Sequence, residues 1–578
     1  MKSPLMQVAL WLFSLFIPLS TVAGDSYQLC RHANKIFTNA TFITLNPDQP
    51  LAQSVAVRHH RIVAAGREKL IMTHCRDQNT RIIDMKGATV IPGFIDTNSQ
   101  FALYGWLANH AVDLSTTNAF QRENWQPVKT TDEFLTALKN NVKTSEPWLI
   151  INGYDHARIK GEALNRTMLD KISAEKPILV LYSTGQKALL NQAAINKITE
   201  LEIQQSIPVQ SDGIVQDDAL QAVIVALIPP QALRQAIQSA AARYAAQGYT
   251  TVTETRANQS WLNTYNQLTA RSDFPVDVIL SPDNIADSKR FALSEKDNPR
   301  LHSGPVILTI DGAIRDFNAY LNSPYFQESS DHAPAWRGQP HRHPQALEAV
   351  FLNACETKTP LALNCNGDAA IDMALNLIQK IQQRQNDPSF KPILKNAHIA
   401  RQDQLHRMNL LGVKVDWFPN HVYYWGQSMC HEYLGPKRAL KDSPLATARN
   451  ILGTTSLHAD SPATPPSPLQ IIANSHSRQV QTWNYPISQR CPQYFSAAEK
   501  ISVEDALRAL TIDAARLYRL EGDKGSLKPG KLADMTVLNK NPLKGNNIAA
   551  IKILGTISRG RLHLKTTTEN DTPTHDKP

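Results

Sequence analysis

The stretch Val90-Ile-Pro-Gly-Phe-Ile-Asp-Thr-Asn-Ser-Gln100 decides the fold. Pro92-Gly93 is typical of a turn, and the apolar pair that follows predicts a short buried strand. Asp96, Asn98 and Gln100 come where this strand ends, and the alternation of side chains along a strand points them to one face. A polar trio at the carboxyl end of a buried strand predicts a site in a barrel of parallel strands.

Length and composition describe an ordinary globular protein. The chain has 578 residues, of which 42% are hydrophobic and 19% are charged, so it can bury a large core. Its formal net charge is +9, but the lysines and arginines are scattered along the chain. Because basic and aromatic residues do not interleave in any one segment, we expect no nucleic-acid partner.

The first 23 residues predict a secretory signal peptide. Lys2 supplies a positive charge, residues 8–19 are mostly apolar, and the small residues at 21–24 fit a cleavage site. The apolar stretch is short for a membrane anchor, and no later stretch is long and apolar enough to cross a membrane. We therefore expect a periplasmic or secreted protein without a membrane span.

Six cysteines remain after the predicted cleavage, and they allow up to three disulfides in an oxidising compartment. Cys30 and Cys75 fall in the same small N-terminal unit, so we expect these two to pair. The alternative is that several of the six are buried free thiols. No Cys-x-x-Cys spacing occurs, which argues against a zinc site made of cysteines.

Both ends of the chain carry signals of strands. Short β-type runs, such as 40–45 and 54–57, are separated by turns or polar residues between 24 and 90, and they predict a small β-sandwich. Toward the other end, Ser502 with Asp505 three residues later is typical of a helix N-terminus. Residues 524–538 then read as a turn that leads into a strand.

Between these ends the pattern changes to alternating helices and strands. Residues 230–247 predict a helix, which leads through Gly248 into an apolar strand at 249–252. The alternation continues to about residue 475 and is typical of a barrel of parallel strands. We place the barrel at 91–525, with an insertion near 115–235.

Several of these motifs resemble the amidohydrolase superfamily, specifically its family 3, the YtcJ-like metal-dependent hydrolases. There the opening stretch reads Pro-Gly-Phe-Ile-Asp-x-His-x-His, and the closing segment Gly-Ser-Leu-x-Pro-Gly-Lys-x-Ala-Asp-Leu matches residues 525–535. The resemblance implies an α/β fold, in which a TIM-like (β/α)8 barrel with an inserted segment lies beside a small composite β-sandwich. The sandwich would combine 24–90 with 526–565. Residues 566–578 are polar without a core pattern, so we expect a disordered tail.

The same resemblance implies a binuclear metal centre at the mouth of the barrel, where histidines, a lysine and an aspartate hold two divalent ions. In this chain other residues stand at the ligand positions: Asn98, Gln100, Ile307, Asn364 and Asn396. The aspartate remains as Asp460, which would be catalytic if the protein is an active enzyme. Amide oxygens are weak zinc ligands and isoleucine is none, so we expect no metal there. The three asparagines predict a mouth that stays polar.

Four histidines could rebuild a site in the mouth: His110, His398, His421 and His458. His421 follows a predicted strand, and His458 lies two residues before Asp460 and so points the same way. A divalent metal such as zinc held by Asp460, His458 and His421 is therefore an alternative. The retained acids are assigned structural roles first: Asp96, Asp311 and Asp368.

Three hypotheses for the function remain. The first is a degenerate amidohydrolase that binds a small polar molecule and needs no cofactor. Its binding residues would be the former ligand positions and two histidines: Asn98, Gln100, Asn364, Asn396, His421 and His458. The second is an active hydrolase of non-peptide C–N bonds with an altered metal site. The third is a regulatory scaffold that contacts other proteins. Whether the protein is an enzyme, and whether it forms a homo-oligomer, stays open.

Overall fold

The structure, a computed structural model, describes residues 30, 32–143, 146–200, 212–329, 332–545 and 547–564. The predicted signal peptide and the predicted C-terminal tail lie outside these residues. Helices and strands alternate through most of the described chain, so the predicted α/β class is confirmed.

The strands of the described chain belong to five sheets. In chain order they are β1 (Lys35–Thr38), β2 (Thr41–Ile43), β3 (Leu51–Ala52), β4 (Ser54–Arg58), β5 (Arg61–Gly66), β6 (Arg81–Asp84), β7 (Thr89–Pro92), β8 (Phe94–Ile95), β9 (Val112–Asp113), β10 (Leu149–Tyr154), β11 (Ile178–Tyr182), β12 (Lys187–Leu190), β13 (Ile214–Gln216), β14 (Tyr249–Ala257), β15 (Asp277–Pro282), β16 (Leu301–Ser303), β17 (Val306–Thr309), β18 (Leu361–Cys365), β19 (Ile393–Asn396), β20 (Lys414–Trp417), β21 (Ser456–Leu457), β22 (Met535–Leu538), β23 (Ile553–Ser558) and β24 (Arg561–Leu564).

The α-helices lie mostly between the strands of the central region. In chain order they are α1 (Glu68–Cys75), α2 (Phe101–His110), α3 (Thr131–Asn141), α4 (Arg166–Ile172), α5 (Gln192–Glu200), α6 (Asp217–Leu227), α7 (Pro230–Ala246), α8 (Leu262–Thr269), α9 (Ile285–Asp297), α10 (Pro344–Glu356), α11 (Asp368–Gln385), α12 (Gln402–Leu411), α13 (Asn420–Ser428), α14 (Gly435–Ala439), α15 (Leu445–Leu452), α16 (Pro468–Ser477), α17 (Val503–Ala509) and α18 (Ile512–Leu517).

Two of the sheets form a β-sandwich built from both ends of the chain. One has the order β5-β4-β1-β6, and the other has the order β24-β23-β22-β7-β2-β3. In the second sheet β7 pairs antiparallel with β22, where Val90 lies opposite Val537. Apolar side chains from both sheets, among them Phe37 and Phe42, are packed into one buried cluster. The N-terminal and C-terminal strands therefore share one domain.

Parallel strands form the barrel in two hydrogen-bonded arcs. The first arc has the order β8-β14-β15-β16, and the second has the order β17-β18-β19-β20-β21. Gly304 and Pro305 separate β16 from β17, and proline has no N–H to donate to a strand ladder, so the hydrogen bonding is interrupted there. At the other junction Ser99 forms a parallel bridge with Ser461, which brings the last strand back to the first.

The opening motif explains the close contact between the first two barrel strands. Gly93 immediately precedes β8, and a Cβ atom there would collide with the side chain of Thr250. Thr250 lies in β14, which pairs with β8. Glycine is therefore required at this position because the two backbones approach more closely than a side chain allows.

A mixed sheet stands between β8 and β14 along the chain. Its order is β13-β12-β11-β10-β9, with β9, β10 and β11 parallel and the remaining pairs antiparallel. The turn after β11 carries Gln186, whose Oε1 accepts a hydrogen bond from the backbone N–H of Ala313 (3.2 Å). This inserted sheet therefore reaches the loops at the carboxyl ends of the barrel strands.

Two helices begin where local sequence signals predict. Helix α17 begins after Ser502, whose Oγ accepts a hydrogen bond from the N–H of Asp505 (3.0 Å), so the predicted N-cap is confirmed. Helix α7 begins at Pro230, because proline fits the first turn of a helix, where no backbone donor is needed.

Two disulfides and two free thiols account for the cysteines. The predicted Cys30–Cys75 bond is confirmed. A second bond joins Cys430 to Cys491 and ties the segment after α13 to the loop that follows α16. Cys355 and Cys365 are buried free thiols.

Within the described ranges, no single helix is long and apolar enough to cross a membrane. Helices α6 and α7 meet the requirements of length and composition only as a pair, and that pair is bent by 100°.

Candidate functional site

A polar cavity opens at the carboxyl ends of the barrel strands. Residues on or just after β8, β14, β17, β18, β19 and β21 line it, together with the turn after β11 and helix α6. It encloses about 1160 Å³, its open mouth included. This is the end of a parallel barrel at which loops converge and sites form, as the opening motif predicts.

The first barrel strand contributes two of its three predicted polar residues. Asn98 and Gln100 line the cavity. Asp96 is fully buried below them and accepts a hydrogen bond from the hydroxyl of Ser99. The regular strand ends at Ile95, so side-chain alternation does not govern the direction of all three.

Asn364 and Asn396 meet on the opposite side of the cavity. Nδ2 of Asn396 donates to Oδ1 of Asn364 (2.6 Å) and to Oδ1 of Asn366 (3.1 Å). Oδ1 of Asn396 is buried and has no hydrogen-bond partner among the described residues. Since Asn396 lines the cavity, this oxygen is an acceptor available to a bound molecule.

Asp460 is held by the amide of Asn98. Nδ2 of Asn98 donates to Oδ1 of Asp460 over 2.7 Å. Burial raises the pKa of Asp460 to about 6, while the ammonium of Lys395 opposes that rise. The carboxyl group therefore titrates near pH 6, and it is hydrogen-bonded to the amide of Asn98.

The predicted histidines separate in the structure. His421 lines the cavity, and its Nδ1 lies 2.7 Å from Oδ2 of Asp442 rather than against Asp460. His458 is fully buried and stacks on Phe418, with ring centroids 5.3 Å apart. Burial lowers the pKa of His421 to about 4 and that of His458 to about 3, so both rings are neutral at pH 7.

The remaining two histidines differ in their places. His110 ends helix α2 and does not line the cavity. His398 follows β19 and lines the cavity beside His421, with ring centroids 3.9 Å apart. The predicted trio of Asp460, His458 and His421 is therefore replaced by a different grouping, in which His421 and His398 share Asp442.

Sequence reasoning missed a buried lysine in the lining of the cavity, Lys395. Nζ of Lys395 donates to the carbonyl of Thr97 (2.7 Å), to Oδ2 of Asp416 (3.0 Å) and to the hydroxyl of Tyr518 (3.3 Å). All three N–H groups are thereby used, so this lysine stabilises the interior of the barrel. The signal was a single charge within the fully buried strand β19.

The retained acids hold loops together, as the sequence led us to expect. Asp311 accepts hydrogen bonds from the backbone N–H groups of Asn366 (2.7 Å), Gly367 (2.8 Å) and Tyr320 (2.8 Å). Burial nevertheless raises its pKa to about 7. Asp368 accepts from the backbone N–H of Asn322 (3.0 Å). Neither aspartate lines the cavity.

Four residues that line the cavity adopt a left-handed backbone without being glycine. The φ angles are 55° at Asp217, 59° at Arg256, 68° at Asn396 and 56° at Asp460. Such a conformation costs energy for an L-residue, and it tends to be kept where surrounding contacts fix a functional geometry. Strain at these four positions marks the rim of the cavity as a built site.

The donor set at the former ligand positions does not fit a binuclear metal centre. It offers one carboxylate and four amide groups, and Ile307 supplies no donor. The amide nitrogens of Asn98 and Asn396 point toward neighbouring oxygens, which leaves the amides bonded to side chains rather than directed at a shared ion.

Comparison with known proteins assigns the chain to a family. A family model for family 3 of the amidohydrolases, described as the amidohydrolase family, matches residues 81–563. Protein LONG AFTER FAR-RED 3 of Arabidopsis thaliana is 26% identical over 541 residues, which cover 88% of each chain. The N-substituted formamide deformylase of Arthrobacter pascens is 22% identical, over 92% of this chain and 98% of that relative.

Solved structures agree on the fold. An uncharacterized metal-dependent hydrolase from Pyrococcus horikoshii superposes with a TM-score of 0.68 at 20% identity, over 89% of this chain and 98% of that one. A second such hydrolase, from Pyrococcus furiosus, gives a TM-score of 0.66 at 22% identity. With a family match that spans most of its length, the chain belongs to amidohydrolase family 3.

Proposed function

We propose that this chain is a degenerate member of amidohydrolase family 3 that binds a small polar molecule in the barrel-mouth cavity and carries out no metal-assisted hydrolysis there. The observation that carries the proposal is the set of side chains at the former ligand positions. Asn98 is bonded to Asp460, and Asn396 is bonded to Asn364, so these groups form a hydrogen-bonded lining.

The lining also indicates what kind of molecule fits. Amide side chains offer both donors and acceptors and carry no charge, so they suit a neutral ligand with several N–H, O–H or C=O groups. The buried Oδ1 of Asn396 has no partner in the part of the chain that the structure describes, and a ligand N–H or O–H would remove the cost of leaving it unpaired. Amides, ureas and sugars meet this description.

We also infer that the protein is exported to the periplasm or the medium. The signal pattern of residues 1–23 supports this, and so do two disulfides, which persist in oxidising compartments. Cell fractionation with mass spectrometry of the N-terminus tests it. We expect a mature chain that begins near residue 24, whereas an uncleaved chain in the cytoplasm would contradict export.

An active hydrolase is the second candidate. The relative named N-substituted formamide deformylase covers almost the whole chain. Asp460, with its pKa raised to about 6, lies in the cavity where a general base would act. This candidate predicts release of formate from an N-substituted formamide, and that release would be lost in Asp460→Asn.

A binding screen combined with a hydrolysis assay separates the candidates. Thermal shift with N-substituted formamides, ureas and simple sugars identifies ligands, and calorimetry measures their affinity. We expect at least one compound to bind and none of the formamides to be hydrolysed when zinc is added. Asn364→Leu should weaken binding at least tenfold, because it removes the acceptor of Asn396 and narrows the cavity.

The matched control is Asn409→Leu, the same exchange at an exposed position of helix α12. It should leave the affinity unchanged. Formamide turnover that depends on Asp460 would overturn the proposal in favour of the hydrolase. If no compound binds and Asn364→Leu changes nothing, the scaffold hypothesis takes its place.

A further inference from the structure

Three metal-ligating side chains meet in the wall of the cavity, apart from the former ligand positions. They are His398, His421 and Asp442, and their ligand atoms all lie within 4.8 Å of one another. Nδ1 of His421 is 2.7 Å from Oδ2 of Asp442, and Nδ1 of His398 is 3.4 Å from Oδ1 of the same carboxylate. Asp442 is fully buried, so this carboxylate faces the two imidazoles.

One atom of this cluster lacks a partner. His398 is 3% exposed, and its Nδ1 makes no hydrogen bond within the described residues. A buried ring nitrogen directed at a carboxylate from 3.4 Å is too distant for a good hydrogen bond. It is well placed for a shared ion, because two ligands bonded at 2.0–2.1 Å to a tetrahedral zinc ion lie about 3.3 Å apart.

The cluster is anchored from several elements. His398 follows β19, His421 lies in helix α13, and Asp442 lies in the turn before helix α15. The carbonyl of His398 accepts a hydrogen bond from the N–H of Ser443 (2.6 Å), which ties β19 to that turn. The guanidinium of Arg478 donates to the carbonyls of Asp442 (2.5 Å) and Ser443 (3.0 Å). Backbone contacts therefore hold the three ligand groups close together, and Nδ1 of His421 and Oδ2 of Asp442 have to move from 2.7 Å to about 3.3 Å apart to bind one zinc ion.

The geometry points to a zinc site formed by His398, His421 and Asp442. Two imidazoles and one carboxylate are a donor set that zinc accepts, and His398 and His421 line the cavity, so the fourth position opens toward it. An ion there gives the cavity a positively charged anchor for an oxygen or nitrogen of the bound molecule. This inference goes beyond the proposed function, which concerns the amide-lined part of the cavity, and the formamide assay with added zinc tests separately whether an ion held here supports hydrolysis.

Zinc uptake by the purified mature protein tests the inference. The protein is loaded with Zn²⁺, passed over a desalting column and subjected to elemental analysis. We expect about one zinc per chain in the wild type, none in Asp442→Asn, and one in Asp460→Asn. The last variant is the matched control, since it makes the same exchange at the former ligand position in the same cavity.

A second measurement identifies the ligands of the ion directly. Co²⁺ replaces Zn²⁺ in the wild-type protein, and X-ray absorption then counts the imidazole ligands around the cobalt. We expect two imidazoles in a four-coordinate shell. His398→Gln, which removes an imidazole and leaves the carboxylate in place, should lower the zinc content as Asp442→Asn does.

The results that would overturn the zinc site can be told apart from those that would overturn the proposed function. Wild-type protein that retains no zinc, or cobalt that shows a six-oxygen shell, overturns the zinc site and leaves the proposed function standing. Zinc that is lost in Asp460→Asn but kept in Asp442→Asn overturns both, because the ion would then sit at the former ligand positions.

Discussion

Asn396 combines a strained backbone conformation with stabilising side-chain hydrogen bonds. Its backbone is left-handed, with φ 68°, and its Nδ2 makes two hydrogen bonds to other asparagines. We expect Asn396→Ala to lower the free energy of unfolding by about 3–4 kcal/mol, because alanine costs roughly 1–2 kcal/mol in this conformation and each of the two lost hydrogen bonds adds about 1 kcal/mol. Urea denaturation measures this difference.

Asn386 provides the control at the same scale. It also has a left-handed backbone, with φ 47°, but it caps the C-terminus of helix α11, and its side chain makes no hydrogen bond to any described residue. Asn386→Ala should therefore cost only the backbone part, about 1 kcal/mol. Equal losses in the two variants would mean that the hydrogen bonds of Asn396 contribute nothing.

Residues at strand ends can be located from the sequence, because a polar side chain that directly follows an apolar run indicates where a buried strand ends. Asn98, Gln100, Asn364 and Asn396 all line the cavity for this reason. Asp442 could not be found in this way. It lies in an irregular segment between helices, and the three-dimensional fold brings it next to His398. No spacing along the sequence therefore predicts that these two residues are in contact.

At the scale of elements, the Cys430–Cys491 bond holds a π-helical segment, Met429–Tyr433, to the loop after helix α16. These two segments share a buried cluster that includes Trp425 and Phe495. Removing the bond with Cys430→Ala and Cys491→Ala should lower the free energy of unfolding by about 2–5 kcal/mol, because the unfolded chain regains the freedom of a long loop. Chemical denaturation of oxidised protein measures the loss.

Cys355→Ala is the control for this change, since it removes a buried thiol that forms no disulfide. We expect a loss of about 1 kcal/mol or less from the smaller side chain. If the double variant unfolds at the same denaturant concentration as Cys355→Ala, the disulfide does not stabilise this part of the fold.

Elements were predictable where a local signal and the global pattern coincided. The cap at Ser502 and the helix from Pro230 are examples, because capping and proline placement depend on a few neighbouring residues. The break between β16 and β17 was not predicted. It depends on how Gly304-Pro305 meets the neighbouring strands, and a barrel pattern read along the chain does not contain that information.

At the scale of the whole molecule, Asp277 joins the barrel to the sandwich. This fully buried carboxylate in β15 lies 3.0 Å from Arg300, 2.8 Å from Lys524 and 2.6 Å from Arg559. Burial alone would raise its pKa, but Lys524, the hydrogen bond with His302 and Arg559 together outweigh burial and hold the pKa well below its ordinary value. We expect Asp277→Asn to cost about 3–5 kcal/mol of stability, because it removes the negative charge that these three buried cations share, although Lys524 keeps its pair with Asp534 (2.6 Å).

The pH dependence follows from the direction of that shift. A carboxyl whose pKa is depressed by folding contributes its full stability above its unfolded value of 3.8, and this contribution is lost as the pH falls further. The difference in the free energy of unfolding between wild type and Asp277→Asn, measured by urea denaturation, should therefore shrink below about pH 4. The control is Asp273→Asn in the exposed pair with Arg271, which we expect to change stability by less than about 1 kcal/mol. If that difference in unfolding free energy stays constant with pH, the ion pairs around Asp277 do not contribute to stability as described.

The shared edge between β7 and β22 sets the order in which this protein can be assembled. Val90 pairs with Val537, so one strand of the pair leaves the ribosome before nearly all of the barrel has been synthesised, and the other leaves after it. Until residues 535–538 emerge, the edge of β7 that they cover lacks its partner, and an open strand edge invites aggregation. Folding of the sandwich cannot keep pace with translation, and the joining of the two chain ends is the slow, long-range step.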